Sequence, residues 1–197
     1  MVKKLKDKVA KLKETTEELP VPEESISVLL SKEFVLAPSE NLTRELYDKG
    51  RYGEPIETNK FQYSLIESLY LMERGKFKVL DVRNKEVNFD SFIKKAIKIE
   101  PNFWTRYAVF KDLRRRGYIV KTALKFGADF RVYDRGIKPG EDHAKWVVFP
   151  VNESEVLTWY GFSAKNRVAH STRKRLLLGI VDAEGDCTYY EVRWIRP

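Results

Sequence analysis

The sequence predicts an α/β (α+β) protein of two domains, a small N-terminal α/β domain and a C-terminal domain with helices packed against a mixed sheet. Its 197 residues exceed one average domain but suit two compact domains of about a hundred residues each. Residues 63–73 place Leu65, Ile66, Leu69 and Met72 on one face at helical spacing, which predicts an amphipathic helix. Short runs rich in β-branched and aromatic residues recur along the second half and predict strands.

The first hundred residues are predicted to form a basic helix or tail, residues 1–20, and then a small α/β domain, residues 21–100. Its strands follow from β-branched runs, and its helices follow from apolar periodicity that stops at a glycine or before a proline. In order, we expect strands at Ile26–Leu30 and 33–37, helices at Asn41–Gly50 and 63–73, a strand at 76–82, and a helix at 91–99 capped by Asp90.

Residues 101–197 are predicted to form the second domain, which begins where the composition changes at Glu100 and Pro101. A helix over residues 102–116 opens this domain, with Gly117 just past its last turn. We then expect strands at 118–121, 128–133 and 145–151, a short helix at 153–160 ended by Gly161, and a hairpin of Arg175–Val181 with 187–195 across residues 182–186.

The positive charge of the chain is concentrated in the second domain. Residues 1–100 hold 19 Lys and Arg against 18 Asp and Glu, whereas residues 101–197 hold 18 against 11. Lys and Arg bind a polyanion by contacting phosphates and releasing condensed counterions. This half is therefore the candidate surface for nucleic acid, although charge alone is equally compatible with a solvated basic face.

The composition also indicates the compartment. Cys187 is the sole cysteine, so no disulfide can form within one chain. No run of apolar residues approaches the roughly eighteen that a membrane span requires, and no secretory signal pattern follows the N-terminus. We therefore expect a cytoplasmic protein with no membrane association.

Three polar residues of the second domain are candidates for chemistry. The chain has two histidines, His143 and His170. His143 follows a loop rich in glycine and is expected to be exposed at a strand entrance, Tyr133 ends a predicted strand, and Lys174 lies in the basic run 170–175. Taken singly, each is compatible with an ordinary surface or packing role.

Their order along the chain is more informative. Residues 127–133 (GADFRVY), then His143, then residues 169–174 (AHSTRK) closely resemble the catalytic domain of archaeal tRNA-splicing endonucleases, also called tRNA-intron endonucleases. The segment 107–122 resembles that family too. The resemblance covers residues 103–197, with a weaker likeness over residues 63–75.

The resemblance implies a role for each candidate. Tyr133 matches the family's general base, His143 its general acid, and Lys174 the group that stabilises the transition state. The implied reaction is excision of introns from precursor tRNA at bulge-helix-bulge motifs, by attack of a 2′-hydroxyl on the neighbouring phosphorus. It yields 2′,3′-cyclic phosphate and 5′-hydroxyl ends with no metal and no cofactor. The resemblance further implies a restriction-endonuclease-like C-terminal domain.

The resemblance also suggests how RNA and a second subunit are bound. Arg167 matches a family arginine that clamps a flipped base, and Arg131 and Arg173 are further RNA-binding candidates beside Tyr133 and Lys174. Free tyrosine titrates near pH 10, so a tyrosine base requires nearby cations, for which Lys174 and Arg131 are candidates. The acidic turn of Asp182, Glu184 and Asp186 matches a loop that docks into a neighbouring subunit, which favours a homotetramer over a homodimer.

Two alternatives remain open from the sequence. A metal-dependent nuclease would use Asp129 and Arg131 as the remnant of a carboxylate-x-lysine motif, but such sites require at least two carboxylates around the ion. A non-catalytic RNA-binding or structural subunit of a splicing complex would be expected to have lost part of the set Tyr133, His143 and Lys174, all of which are present.

Overall fold

A computed structural model describes residues 25–56, 59–123 and 127–195. The chain divides into two compact units between Pro101 and Asn102. The predicted helix or tail at residues 1–20 lies outside the described residues. Within these ranges, none of the helices is long and apolar enough to cross a membrane.

The first unit is built on a five-stranded sheet with the strand order β3-β4-β2-β1-β5. Its elements are β1 (Ile26–Leu30), β2 (Phe34–Pro38), α1 (Asn41–Gly50), β3 (Glu54–Ile56), β4 (Lys60–Ser64), α2 (Leu65–Glu73), β5 (Phe77–Leu80) and α3 (Phe89–Ile99). Strands β1 and β5 pair in parallel, and the other neighbours are antiparallel. Helix α2 is buried over most of its length, because its apolar residues cover more than one face.

Three details of the first unit correct the sequence prediction. The strands β3 and β4 were not predicted, and Tyr63 lies in β4 and not in the following helix. That helix begins after Ser64, whose side chain accepts a hydrogen bond from the backbone of Glu67 in a capping box. Helix α3 is capped by Asn88, with Asp90 inside its first turn.

The second unit consists of a five-stranded sheet and two helices. Its elements are α4 (Phe103–Arg115), β6 (Ile119–Thr122), β7 (Phe130–Tyr133), β8 (Trp146–Asn152), α5 (Trp159–Ser171), β9 (Arg175–Val181) and β10 (Cys187–Val192). The strand order is β10-β9-β8-β7-β6, in which β8 and β9 are parallel and the other pairs antiparallel. The predicted α/β class is confirmed, as is the mixed sheet expected for this second unit.

The two helices of the second unit cover opposite faces of its sheet. Leu176 and Leu178 of β9 pack in one cluster with Ala169 of α5. Gly179 points the other way, where an added Cβ would lie 3.0 Å from a methyl of Val109 on α4. The central strands are therefore buried on both sides, and the functional groups of the sheet lie at the strand ends.

The predicted helix at residues 153–160 is wrong. Residues 153–154 form a turn, and the helix begins at Trp159, where Thr158 caps it by accepting a hydrogen bond of 3.1 Å from the backbone of Gly161. Gly161 thus lies in the first turn of α5 and does not end a helix. As a consequence Arg167 and His170 are helical residues, and α5 forms the crossover between the parallel strands β8 and β9.

Candidate active site

Tyr133, His143 and Lys174 line one pocket at the end of the second sheet. The pocket has a volume of about 350 Å³, and its walls are Arg131, Tyr133, residues 140–144 and Lys174. Residues far apart in the chain meet there because of the strand order. Tyr133 ends β7, His143 lies just before β8, and Lys174 lies just before β9.

Backbone hydrogen bonds across β8 fix this arrangement. Lys145 donates its backbone N–H to the carbonyl of Val132 at 2.9 Å, and its own carbonyl accepts from the backbone of Arg175 at 3.0 Å. The residues next to these two contacts, Tyr133 and Lys174, are thereby held on either side of β8. The site therefore has a rigid base formed by three neighbouring strands.

Tyr133 is a buried residue beside a cation. Only 5% of its surface is exposed, and the guanidinium of Arg131 lies 6.0 Å from the centre of its ring. Residues two apart on a strand point to the same face, which explains why both reach the pocket. The Nε of Arg131 is buried and has no hydrogen-bond partner among the described residues. Arg131 also lines the pocket, so its guanidinium is placed to meet an anionic ligand there.

His143 is exposed on the loop between β7 and β8. The loop is folded by its own hydrogen bonds, since the Glu141 carboxylate accepts from the backbone of Lys138 at 3.0 Å and the Asp142 carboxylate accepts from the backbone of His143 at 2.6 Å. At its ends, Asp134 and Lys145 form an ion pair of 2.5 Å. The pKa of Asp134 is held below its ordinary value, mainly by the hydrogen bond from the Lys145 ammonium and secondly by that from the backbone of Arg135.

Lys174 follows the C-terminal end of helix α5. Its backbone N–H donates to the carbonyl of Ala169 at 2.8 Å, and its ammonium donates to the carbonyl of Thr172 at 2.9 Å. Arg173, immediately before it, has a φ of 55° in the left-handed region where glycine usually closes a helix. The chain thus holds an arginine in a strained conformation next to the half-buried lysine.

A second pocket lies on α5, apart from the first. Its volume is about 250 Å³, and its walls are Ser163, Asn166, Arg167, His170 and Trp194. The rings of His170 and Trp194 meet edge to face, with 4.9 Å between their centres. Arg167 was predicted from the sequence, whereas Trp194 was not. Its position among arginines, just after the last strand, is the feature of the sequence that could have indicated it.

The acidic turn between β9 and β10 uses one of its three carboxylates internally. The Asp182 carboxylate accepts from the backbones of Gly185 and Asp186, each at 2.9 Å. Asp182 is half-buried, whereas Glu184 and Asp186 are exposed. Asp182 therefore shapes the turn, and the other two carboxylates face solvent.

Asp129, the residue on which the metal-dependent alternative depends, is engaged elsewhere. It forms an ion pair of 2.8 Å with Arg106 of α4 and is not part of the wall of the first pocket. Burial raises its pKa, and the charge of Arg106 opposes that effect. Throughout residues 25–56, 59–123 and 127–195, no group of three or more His, Cys, Asp or Glu residues is arranged to hold a metal ion.

Comparisons with known proteins identify the family. The profile of the tRNA intron endonuclease catalytic C-terminal domain matches residues 103–189, and that of the tRNA intron endonuclease N-terminal domain matches residues 26–93.

The tRNA-splicing endonuclease of Methanothermobacter thermautotrophicus is 43% identical over 168 residues, covering 85% of this chain and 96% of the relative. That of Pyrococcus abyssi is 42% identical over 171 residues, covering 87% and 97%. That of Nanoarchaeum equitans is 42% identical over 152 residues, covering 74% and 97%. The chain therefore belongs to the tRNA intron endonuclease family, as an enzyme with both of that family's domains.

Proposed function

We propose that this endonuclease excises introns from precursor tRNA at bulge-helix-bulge motifs, without a metal ion, leaving 2′,3′-cyclic phosphate and 5′-hydroxyl ends. The observation that carries the proposal is that Tyr133, His143 and Lys174 line one pocket at the end of a rigid sheet. Residues 101–197 form the catalytic domain and residues 21–100 the N-terminal domain. The enzyme acts in the cytoplasm, where it meets its precursor tRNA.

Each of the three side chains supplies one part of a transesterification. The Tyr133 hydroxyl takes the proton from the attacking 2′-hydroxyl, and His143 protonates the departing 5′-oxygen. The Lys174 ammonium offsets the negative charge that develops on the phosphoryl oxygens in the transition state. Their surroundings suit these roles, because His143 is exposed to an incoming RNA, whereas Lys174 is half-buried and tethered to Thr172.

The second pocket is suited to hold an unpaired base. The guanidinium plane of Arg167 and the indole of Trp194 both face this pocket, and bases of single-stranded RNA stack on such groups. Arg131 and Arg173 contact the RNA backbone beside the reactive phosphate. The place of Arg131 in the wall of the first pocket supports that role, because a guanidinium is a strong hydrogen-bond partner for phosphate oxygens.

The acidic turn is proposed to join subunits into a homotetramer, in preference to a homodimer. Glu184 and Asp186 are exposed at the tip of a hairpin in a unit with a large excess of positive charge, so a basic surface on another copy is a complementary partner. A substrate with two cleavage sites at a fixed separation then meets two catalytic domains held at the matching distance.

A cleavage assay in EDTA tests the proposed chemistry. The substrate is an RNA with two bulges around a short helix, and the matched control is the fully paired duplex of the same length. We expect cleavage of the bulged RNA alone, with 5′ ends that polynucleotide kinase labels without prior phosphatase treatment. Cleavage that disappears in EDTA and returns with Mg²⁺ would contradict the mechanism, and cleavage of both RNAs alike would contradict the substrate.

A further inference from the structure

A continuous set of side-chain contacts runs along the end of the second sheet that carries the first pocket. Its members are Asp134, Lys145, Trp146, Glu191 and Arg175, which we call the Glu191 network. The Lys145 ammonium is 2.5 Å from the Asp134 carboxylate and 4.3 Å from the centre of the Trp146 ring. The Trp146 indole N–H donates to Glu191 at 2.8 Å, and Arg175 contacts both Glu191 oxygens at 3.3 Å.

Three members of this network lie close in the chain to the three residues of the proposed reaction. Asp134 directly follows Tyr133, and Arg175 directly follows Lys174. Lys145 stands two residues after His143 and joins the two ends of the loop that carries it. Each of the three candidate groups is therefore next or next but one in the chain to a member of the network, and none of the five members forms part of the pocket wall.

Glu191 is the centre of this arrangement. It lies on β10, which pairs with β9 but not with β8, so its contact with Trp146 crosses over the intervening strand. Arg193 is a third donor to the same carboxylate, at 2.7 Å. The carboxylate thus ties together β8, β9 and β10 at the end of the sheet from which the reacting side chains emerge.

We propose that the Glu191 network is a positioning device for the reaction, with Glu191 and Trp146 acting through the backbone at Tyr133, His143 and Lys174. This inference rests on the proposed function. Its members are partly exposed to solvent, where ion pairs contribute little to folding stability. Such contacts can still have a large effect on the reaction rate, because misplacing catalytic groups by about 1 Å lowers rates by about a hundredfold.

Two substitutions test the centre of the network in the full-length enzyme. Glu191→Ala removes the shared acceptor, and Trp146→Phe keeps an aromatic ring but removes the indole N–H. We expect each to lower the single-turnover cleavage rate by about ten- to a hundredfold, while the dissociation constant for uncleaved RNA changes by less than about twofold. The double variant should be no slower than the slower single variant, because both substitutions remove the same hydrogen bond, from Trp146 to Glu191.

Three controls distinguish positioning from general damage. Glu191→Gln retains an acceptor for the Trp146 N–H and should recover most of the rate. Glu45→Ala removes a comparable exposed ion pair with Lys49 in the first unit and should leave the rate unchanged. The melting temperature of every variant is measured, and Trp146→Phe and Glu191→Gln serve as the test if Glu191→Ala does not fold.

The outcome separates this proposal from the proposed function. If His143→Ala cleaves like the wild type, the assignment of the reacting groups fails before the network is tested. If His143→Ala is slow but Glu191→Ala and Trp146→Phe keep the wild-type rate, the network has no positioning role. Rate losses that merely follow weaker RNA binding or a lower melting temperature would also overturn it.

Discussion

Tyr133 and Lys174 lie on opposite sides of β8, and each is next in the chain to a residue, Val132 or Arg175, that is hydrogen-bonded to the backbone of Lys145. This relationship makes the strand order itself a determinant of the site. The proposed base ends β7, and the proposed transition-state group immediately precedes β9. Of the three candidate groups, Tyr133 lies within a strand, whereas His143 and Lys174 lie in the connections that lead into β8 and β9.

The first prediction concerns His143. His143→Ala should lower the single-turnover cleavage rate by about 10²–10⁴-fold, since it removes the group proposed to protonate the departing oxygen. RNA affinity should remain nearly the same, because the side chain is exposed and the loop is held by hydrogen bonds of its neighbours. Rapid-quench kinetics and a filter-binding titration measure the two quantities. Cleavage at a rate close to the wild type would remove His143 from the reaction.

The second prediction concerns the strained arginine beside Lys174. Arg173→Gly should raise the free energy of unfolding by about 0.5–1 kcal/mol, because glycine adopts a positive φ without a steric penalty. It should also weaken RNA binding and make its salt dependence shallower by about one phosphate contact. Arg173→Ala is the matched control, which should lose the same affinity without gaining stability. Equal affinity in all three proteins would show that Arg173 does not contact RNA.

The third prediction concerns the second pocket. Trp194→Ala should weaken binding of bulged RNA by about 1–3 kcal/mol, the usual contribution of one stacked base. Binding of a fully paired duplex should be unaffected by this substitution, and Trp194→Phe should retain part of the affinity. Fluorescence anisotropy with the two RNAs measures the difference. A loss of the same size for both RNAs would contradict a base-stacking role.

The fourth prediction concerns the acidic turn. The double substitution Glu184→Gln and Asp186→Asn should split the proposed tetramer, since close charge pairs across an interface contribute about 1.5–7 kcal/mol. Asp182 is left intact because its carboxylate holds the turn together. Light scattering after size-exclusion chromatography gives the mass, and a cleavage assay on the same sample should show reduced activity. An unchanged mass with full activity would leave the turn without a role in assembly.

The fifth prediction concerns stability at acid pH. The hydrogen bond from Trp146, followed by those from Arg193 and Arg175, lowers the pKa of Glu191 to about 2 from an ordinary value of 4.5. A carboxyl whose folded pKa is depressed contributes stability above its unfolded pKa, and this contribution is lost as the pH falls through the folded pKa. The free energy of unfolding of the wild type should therefore be higher than that of Glu191→Gln by a constant amount above pH 4.5. This difference should disappear as the pH falls from 4.5 to 2. Urea denaturation across this range measures it, and a margin independent of pH would refute the assignment.

Local patterns predicted those parts of the fold that local interactions determine. The strands of the second unit were found because they are rich in β-branched and aromatic residues, and the family was recognised by the resemblance of the segments that carry Tyr133, His143 and Lys174. Helix α5 was misplaced because Gly161 was taken for a helix end, whereas Thr158 caps the helix there. Contacts such as that of Trp146 with Glu191 join residues on strands separated by another strand, so no local pattern indicates them.

Helix α5 has a geometrical consequence for the proposed substrate. Arg167 lies within α5, and Lys174 follows its C-terminal end. One helix therefore connects the second pocket, the proposed base-binding site, to the first pocket, the proposed cleavage site. Each residue of such a helix adds about 1.5 Å and turns the next side chain by about 100°. If Arg167 holds a displaced nucleotide as proposed, the length of α5 sets the distance from that nucleotide to the bond that is cut. An insertion of a single residue between Arg167 and Ser171 would change both that distance and its direction, and would move the cut without altering any of the groups that perform it.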